Sequence, residues 1–120
     1  MMNVGIDITP IIYGRGVSRY TANLAQSLNN RKSINLSALG YSWRNKAKLE
    51  KFVKDNNISS SSLHSTPPSM VELLWKLGKN PVKKNLPQID LFHSWDWLQP
   101  PDKNLPLVST IHDVAMIRYP

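Results

Sequence analysis

The sequence predicts an α/β fold, a Rossmann-like parallel sheet with flanking helices. Three observations lead there. Short apolar runs of strand length alternate with longer runs of helical period. The first strand passes into a helix through a glycine-bearing loop, Gly14-Arg15-Gly16. The length of 120 residues, with 41% hydrophobic and 19% charged, suits one globular domain with a real core.

Each element has its own local reason. Val4, Ile6 and Ile8 alternate and Pro10 closes the run, which predicts a strand over residues 2–8. Ser18 is the expected N-cap of a helix reaching Asn30, with Tyr20, Leu24 and Leu28 as its apolar face. Ile34, Leu36 and Ala38 predict a second strand. From Arg44 to Asn56 the period is helical again. Leu49, Phe52, Val53 and Asn56 fall on one side, with Arg44, Lys48, Lys51 and Asp55 on another. The serine-rich residues 57–68 read either as a short strand or as a loop, stopped by Pro67-Pro68. Ser69 is expected to cap a short helix from Met70 to Leu77, and residues 78–87 form a basic, proline-bounded connector. A strand over Ile89–His93, a loop of Trp and Pro over 94–106, and a strand over Leu107–Ile111 complete the pattern.

Composition narrows the function classes. The absence of cysteine removes disulfides and thiolate metal sites and fits a reducing cytosol. Met1-Met2-Asn3 carries no positive charge and Asp7 interrupts the apolar run, so no signal peptide is expected. No apolar run approaches the roughly 20 residues of a spanning helix. The net charge of +7 favours an anionic partner, whether nucleic acid, lipid head group or nucleotide diphosphate.

In parallel sheets ligands bind at the carboxyl ends of strands, and three segments with chemistry fall there. The first is the loop at Gly14, Arg15, Gly16, Val17 and Arg19. Glycine permits close backbone approach, the first helical N–H groups lack partners, and the helix dipole favours an anion. Arg15 and Arg19 add charge and bidentate donors. The dinucleotide fingerprint is not met, because Arg19 stands at the third glycine position. An ordinary strand-to-helix turn with two surface arginines also fits. The other two segments are strand ends, His93 with Asp96 and His112 with Asp113. A histidine there can donate to a ligand hydroxyl or exchange a proton near neutral pH, with a carboxylate orienting it. A structural histidine held by backbone groups fits each one taken singly. A metal site or a serine triad can be drawn from these residues, but no ligand spacing and no nucleophile elbow supports either. Trp95 and Trp97 serve as sugar platforms or as loop anchors.

Taken together, "VGIDITPIIYGRGVSRYTANLAQSL", "IDLFHSWDWLQPP" and "PLVSTIHDVAMIRYP" resemble the N-terminal domain of a family 4 glycosyltransferase. That family has the GT-B fold and is retaining, and the likeness is to its mannosyltransferase-like members. The blocks stand in family order and cover about half the chain; residues 41–87 add little. The resemblance implies a hexosyltransferase that moves a sugar from a GDP- or UDP-linked donor to the hydroxyl of a saccharide or lipid-linked acceptor, without a metal or other cofactor. By the same resemblance, Gly14, Gly16 and Val17 face the donor diphosphate and acceptor. His112 reaches the transferred sugar with Asp113 beside it, and His93 lines the cleft. Residues 1–120 then form an incomplete acceptor-side domain. The donor-binding C-terminal domain of the family is expected to be missing, leaving this chain with little or no activity alone. Ser18 departs from the glycine common in the family at that position.

The lysines of 44–56, and those around the apolar 70–77 helix, suit either peripheral contact with an anionic membrane at its inner face or a core helix with solvated lysines nearby. The runner-up function is a basic, non-catalytic module for anionic lipid or nucleic acid. No usual nucleic-acid motif is present.

Overall fold

The structure is a computed structural model. It describes residues 2–13, 16–94 and 100–109, and their side chains except those of 13, 17 and 109. Strands β1 (Met2–Asp7), β2 (Ile34–Tyr41), β3 (Ser60–His64), β4 (Leu91–Ser94) and β5 (Leu107–Ser109) form one sheet in the order β3-β2-β1-β4-β5. Every pairing is parallel, so the fold is a Rossmann-like α/β domain. Helices α1 (Gly16–Asn29), α2 (Lys46–Asp55) and α3 (Pro68–Lys76) flank it, with 3-10 turns at Thr9–Tyr13 and Val82–Lys84.

Burial on both faces explains the strand sequences. Val4, Ile6, Leu36 and Ala38 point to one side, where Ala25 of α1 and Leu49 of α2 meet them. Leu39, Tyr41 and Phe92 point to the other, against Val71 and Trp75 of α3 and Val82. A central parallel strand therefore has no solvent face. α2 lies close to the sheet because position 40 is glycine. A Cβ there would stand 2.8 Å from Leu49 Cδ1 and 3.1 Å from Leu63 Cδ2.

The structure shifts several local expectations. α1 starts at Gly16, so Ser18 is inside the first turn and is not its cap. The Ser18 hydroxyl instead donates to the Ile11 carbonyl at 2.9 Å, pinning the helix start to the preceding 3-10 turn. The inward face of α1 is Thr21 and Ala25, both buried, while Tyr20 is 44% exposed. Small side chains let the helix approach the sheet, and the larger Leu24 and Leu28 pack at its margin. α3 begins at Pro68 with Pro67 at its cap position, not Ser69. Proline is preorganised for the first helical turn and has no N–H to leave unpaired. Residues 60–64 are a strand, which decides between the two readings of that serine-rich stretch. Their polar character suits an edge strand within the described sheet. β4 begins at Leu91, because Ile89 is already committed to the α3-side core and Asp90 fastens the chain to Asn3. The predicted end of the last strand, 110–111, lies outside the described residues.

Candidate functional site

Strand order places the site. From β1 the chain adds β2 and β3 on one side and β4 and β5 on the other. The order reverses between β1 and β4, and in sheets of this kind a ligand-binding crevice forms at the carboxyl ends of the strands at such a reversal. His93 arrives there by register. It pairs with Ile6 of β1 and Val108 of β5, and alternation with Leu91 sets it on the α1 side of the sheet, half-buried.

The chain leaving β1 is tightly built. Asp7, the last residue of β1, is 5% exposed. Its carboxylate Oδ1 accepts the Thr9 N–H at 2.9 Å, and Thr9 Oγ1 accepts the Tyr41 N–H at 3.0 Å. The Ile8 N–H donates to the Leu39 carbonyl at 2.8 Å, extending the ladder past the strand. Burial pushes the Asp7 carboxyl up to about 6, against the opposing pull of its Thr9 hydrogen bonds. A carboxyl with a displaced pKa beside a strand-end crevice is a functional candidate, and it also organises the turn. The sequence showed Asp7 only as a break in an apolar run. The sequence pattern carried the first strand on to Ile8, so it did not mark Asp7 as a strand end.

Beyond the turn, Gly16 opens α1. It is exposed, and a Cβ built there would meet nothing within 4 Å. Its φ is not in the left-handed region, so neither crowding nor backbone strain within the described protein demands glycine here. Arg19 lies exposed in α1, one turn on. Val17 is in the same helix, with no side chain described. Of the residues singled out in the sequence, the structure describes Gly16 at the start of α1, Arg19 one turn on, and His93 in β4 beside Ile6 of β1. Gly14, Arg15, Asp96, His112 and Asp113 lie outside the described residues, as do Trp95 and Trp97.

The basic helices resolve differently. α2 buries Leu49 and leaves Lys48, Lys51 and Lys54 exposed. α3 is apolar on two faces. Val71 and Trp75 are in the core, while Met70, Leu73 and Leu77 are 52%, 57% and 60% exposed beside Lys76. Among the described residues, no helix is long and apolar enough to cross a membrane.

No protein-family model, curated protein or solved structure matches the chain.

Proposed function

We propose that this chain is the acceptor-side, Rossmann-like domain of a retaining glycosyltransferase of family 4. The observation that supports the reading is the reversal of strand order between β1 and β4, with Gly16 at the start of α1 and His93 paired to Ile6 near the carboxyl end of β4. The three resembling segments contain most of β1 and the whole of β4 and β5. In this reading a GDP- or UDP-sugar, such as a mannosyl donor, gives its sugar to an acceptor hydroxyl. The glycosidic bond to the diphosphate breaks as the bond to the acceptor oxygen forms, on the same face of the sugar. The domain's task is electrostatic: helix-start N–H groups and arginines favour the departing diphosphate, and the histidines hold sugar hydroxyls. The reading requires a second domain for most nucleotide contacts, and residues 1–120 alone should transfer no sugar.

The test is transfer of labelled sugar by the chain joined to its donor-binding domain, with His112→Ala and His93→Ala variants. His112→Ala should lower kcat/KM by about a hundredfold or more with an unchanged melting temperature. Unchanged turnover would remove His112 from the site, and no transfer from any nucleotide-sugar would remove the reading.

A basic, non-catalytic module for anionic lipid is the second reading. The exposed Met70, Leu73 and Leu77 beside Lys76 favour it, and they equally support a peripheral membrane contact for a transferase. Cosedimentation with phosphatidylglycerol vesicles checks both. A Leu73→Ser/Leu77→Ser variant should keep its fold and lose the vesicles, and retained binding would exclude this surface.

A further inference from the structure

A second concavity lies along the same edge of the sheet, on the side away from β4. It has a volume of about 500 Å³ and opens at the ends of β2 and β3, where Tyr41 and His64 form its floor. Their rings stack, with centroids 5.3 Å apart and planes at 20°. Lys79 and Lys84 stand over it, and no carboxylate is among its lining residues. Lys79 is held between two left-handed residues, Gly78 at φ 74° and Asn80 at φ 61°. The Trp75 indole N–H donates to the Asn80 carbonyl at 3.1 Å, which fixes that turn against the core.

The polar groups here include several donors. Tyr41 is 4% exposed, yet its hydroxyl has no hydrogen-bond partner. Burial, and then the Asp7 carboxylate, hold the Tyr41 hydroxyl in its neutral form; the Asn80 and Asn85 amides pull the other way from nearby but make no bond of ordinary geometry with it. Both amides line the cavity, so the unmade bond belongs to its floor. Buried hydroxyls are rarely left so, and an orphan calls for an explanation such as a ligand. On His64, Nε2 lies 2.8 Å from Ser62 Oγ, which leaves Nδ1 for a ligand. Thr66 adds a hydroxyl to the wall, while Met70 and Leu74 supply an apolar side.

We propose that this cavity binds the phosphate group of a small phosphorylated ligand, with the organic part of that ligand against Met70 and Leu74. Two ammonium groups, a tyrosine hydroxyl, a threonine hydroxyl and two amides suit a tetrahedral dianion with several acceptor oxygens better than a single planar carboxylate. The volume exceeds what inorganic phosphate alone would fill. The site is separate from the β1–β4 crevice, and its argument does not depend on the transferase reading.

The experiment is a titration of the full chain with inorganic phosphate and with glycerol 3-phosphate at constant ionic strength. It is followed by the NMR shifts of the His64 ring and the Asn80 and Asn85 side-chain amides. Saturating shifts at these groups are expected, with Kd weakened about tenfold or more in Lys79→Gln/Lys84→Gln. Tyr41→Phe should weaken binding about tenfold without disturbing the fold, since it breaks no existing bond. A parallel arm uses phosphatidylglycerol vesicles against phosphatidylcholine vesicles. Binding to the former alone, lost in Lys79→Gln/Lys84→Gln, would assign the phosphate to a lipid head group. Non-saturating shifts in solution together with vesicle binding indifferent to that double variant would overturn the proposal. So would shifts spread evenly over the other lysines.

Discussion

At the scale of single residues, Asp7 carries the sharpest consequence. Its carboxyl is raised from 3.8 to about 6 in the folded chain. Between those values the native state holds a proton that the unfolded state has released. Stability therefore decreases as pH rises through this window, the reverse of a salt-bridged carboxylate. The contribution is fully present below pH 3.8 and is lost above about 6, where the fold contains a buried charge. The difference corresponds to about 3 kcal/mol at neutral pH. Asp7→Asn keeps an oxygen to accept the Thr9 N–H and removes the charge. Urea unfolding should show a higher midpoint for this variant at pH 7 and a flatter pH dependence between 4 and 6. Equal slopes for the two proteins would mean that Asp7 titrates normally. None of this was legible in the residues, because the sequence shows an aspartate after isoleucine and only burial gives it a displaced pKa. His93 was legible, since it follows an apolar run of strand length and register then set it beside Ile6.

At the scale of elements, period and proline placed nearly every strand and helix, and their ends moved. The start of α1 illustrates the reason. Ser18 has the chemistry of a cap, but the 3-10 turn over Thr9–Tyr13 brings the Ile11 carbonyl within reach, and the hydroxyl takes that tertiary partner. Nothing local in the sequence announces that turn. The short strand over 60–64 was ambiguous for a related reason: serines have weak strand preference, and pairing with Ser37–Tyr41 of β2 supplies what they lack. The contact between α2 and the sheet gives a direct prediction. Gly40→Ala inserts a methyl where Leu49 and Leu63 already crowd the backbone. It should cost about 1–3 kcal/mol in chemical denaturation, and Leu49→Ala in the same chain should recover part of that loss. Additive losses would show that the helix relaxes away from the sheet instead.

At the scale of the molecule, alternating elements revealed a parallel sheet but not the order of its strands. Order depends on which side of β1 each crossover lands, and that is decided by faces burying one another over long separations. The Trp75 and Phe92 face and the Ala25 and Leu49 face are each assembled from distant parts of the chain. The same order has a consequence for how the domain is made. β1 is the central strand and the first to be synthesised, but its two neighbours come at very different times. β2 follows after one helix and can close on it at once, and β3 can then join the growing edge. The other side of β1 must wait until residues 91–94 exist. Long-range pairings of that kind are the slow part of folding. During synthesis, one flank of Val4 and Ile6 is therefore without its strand neighbour while some eighty further residues are added. The pairing of β1 with β4 is among the later features of this domain to come into being, whereas every residue lining the cavity over Tyr41 and His64 precedes β4, although Asp102 must still arrive to accept the Val82 and Lys83 N–H groups beside it.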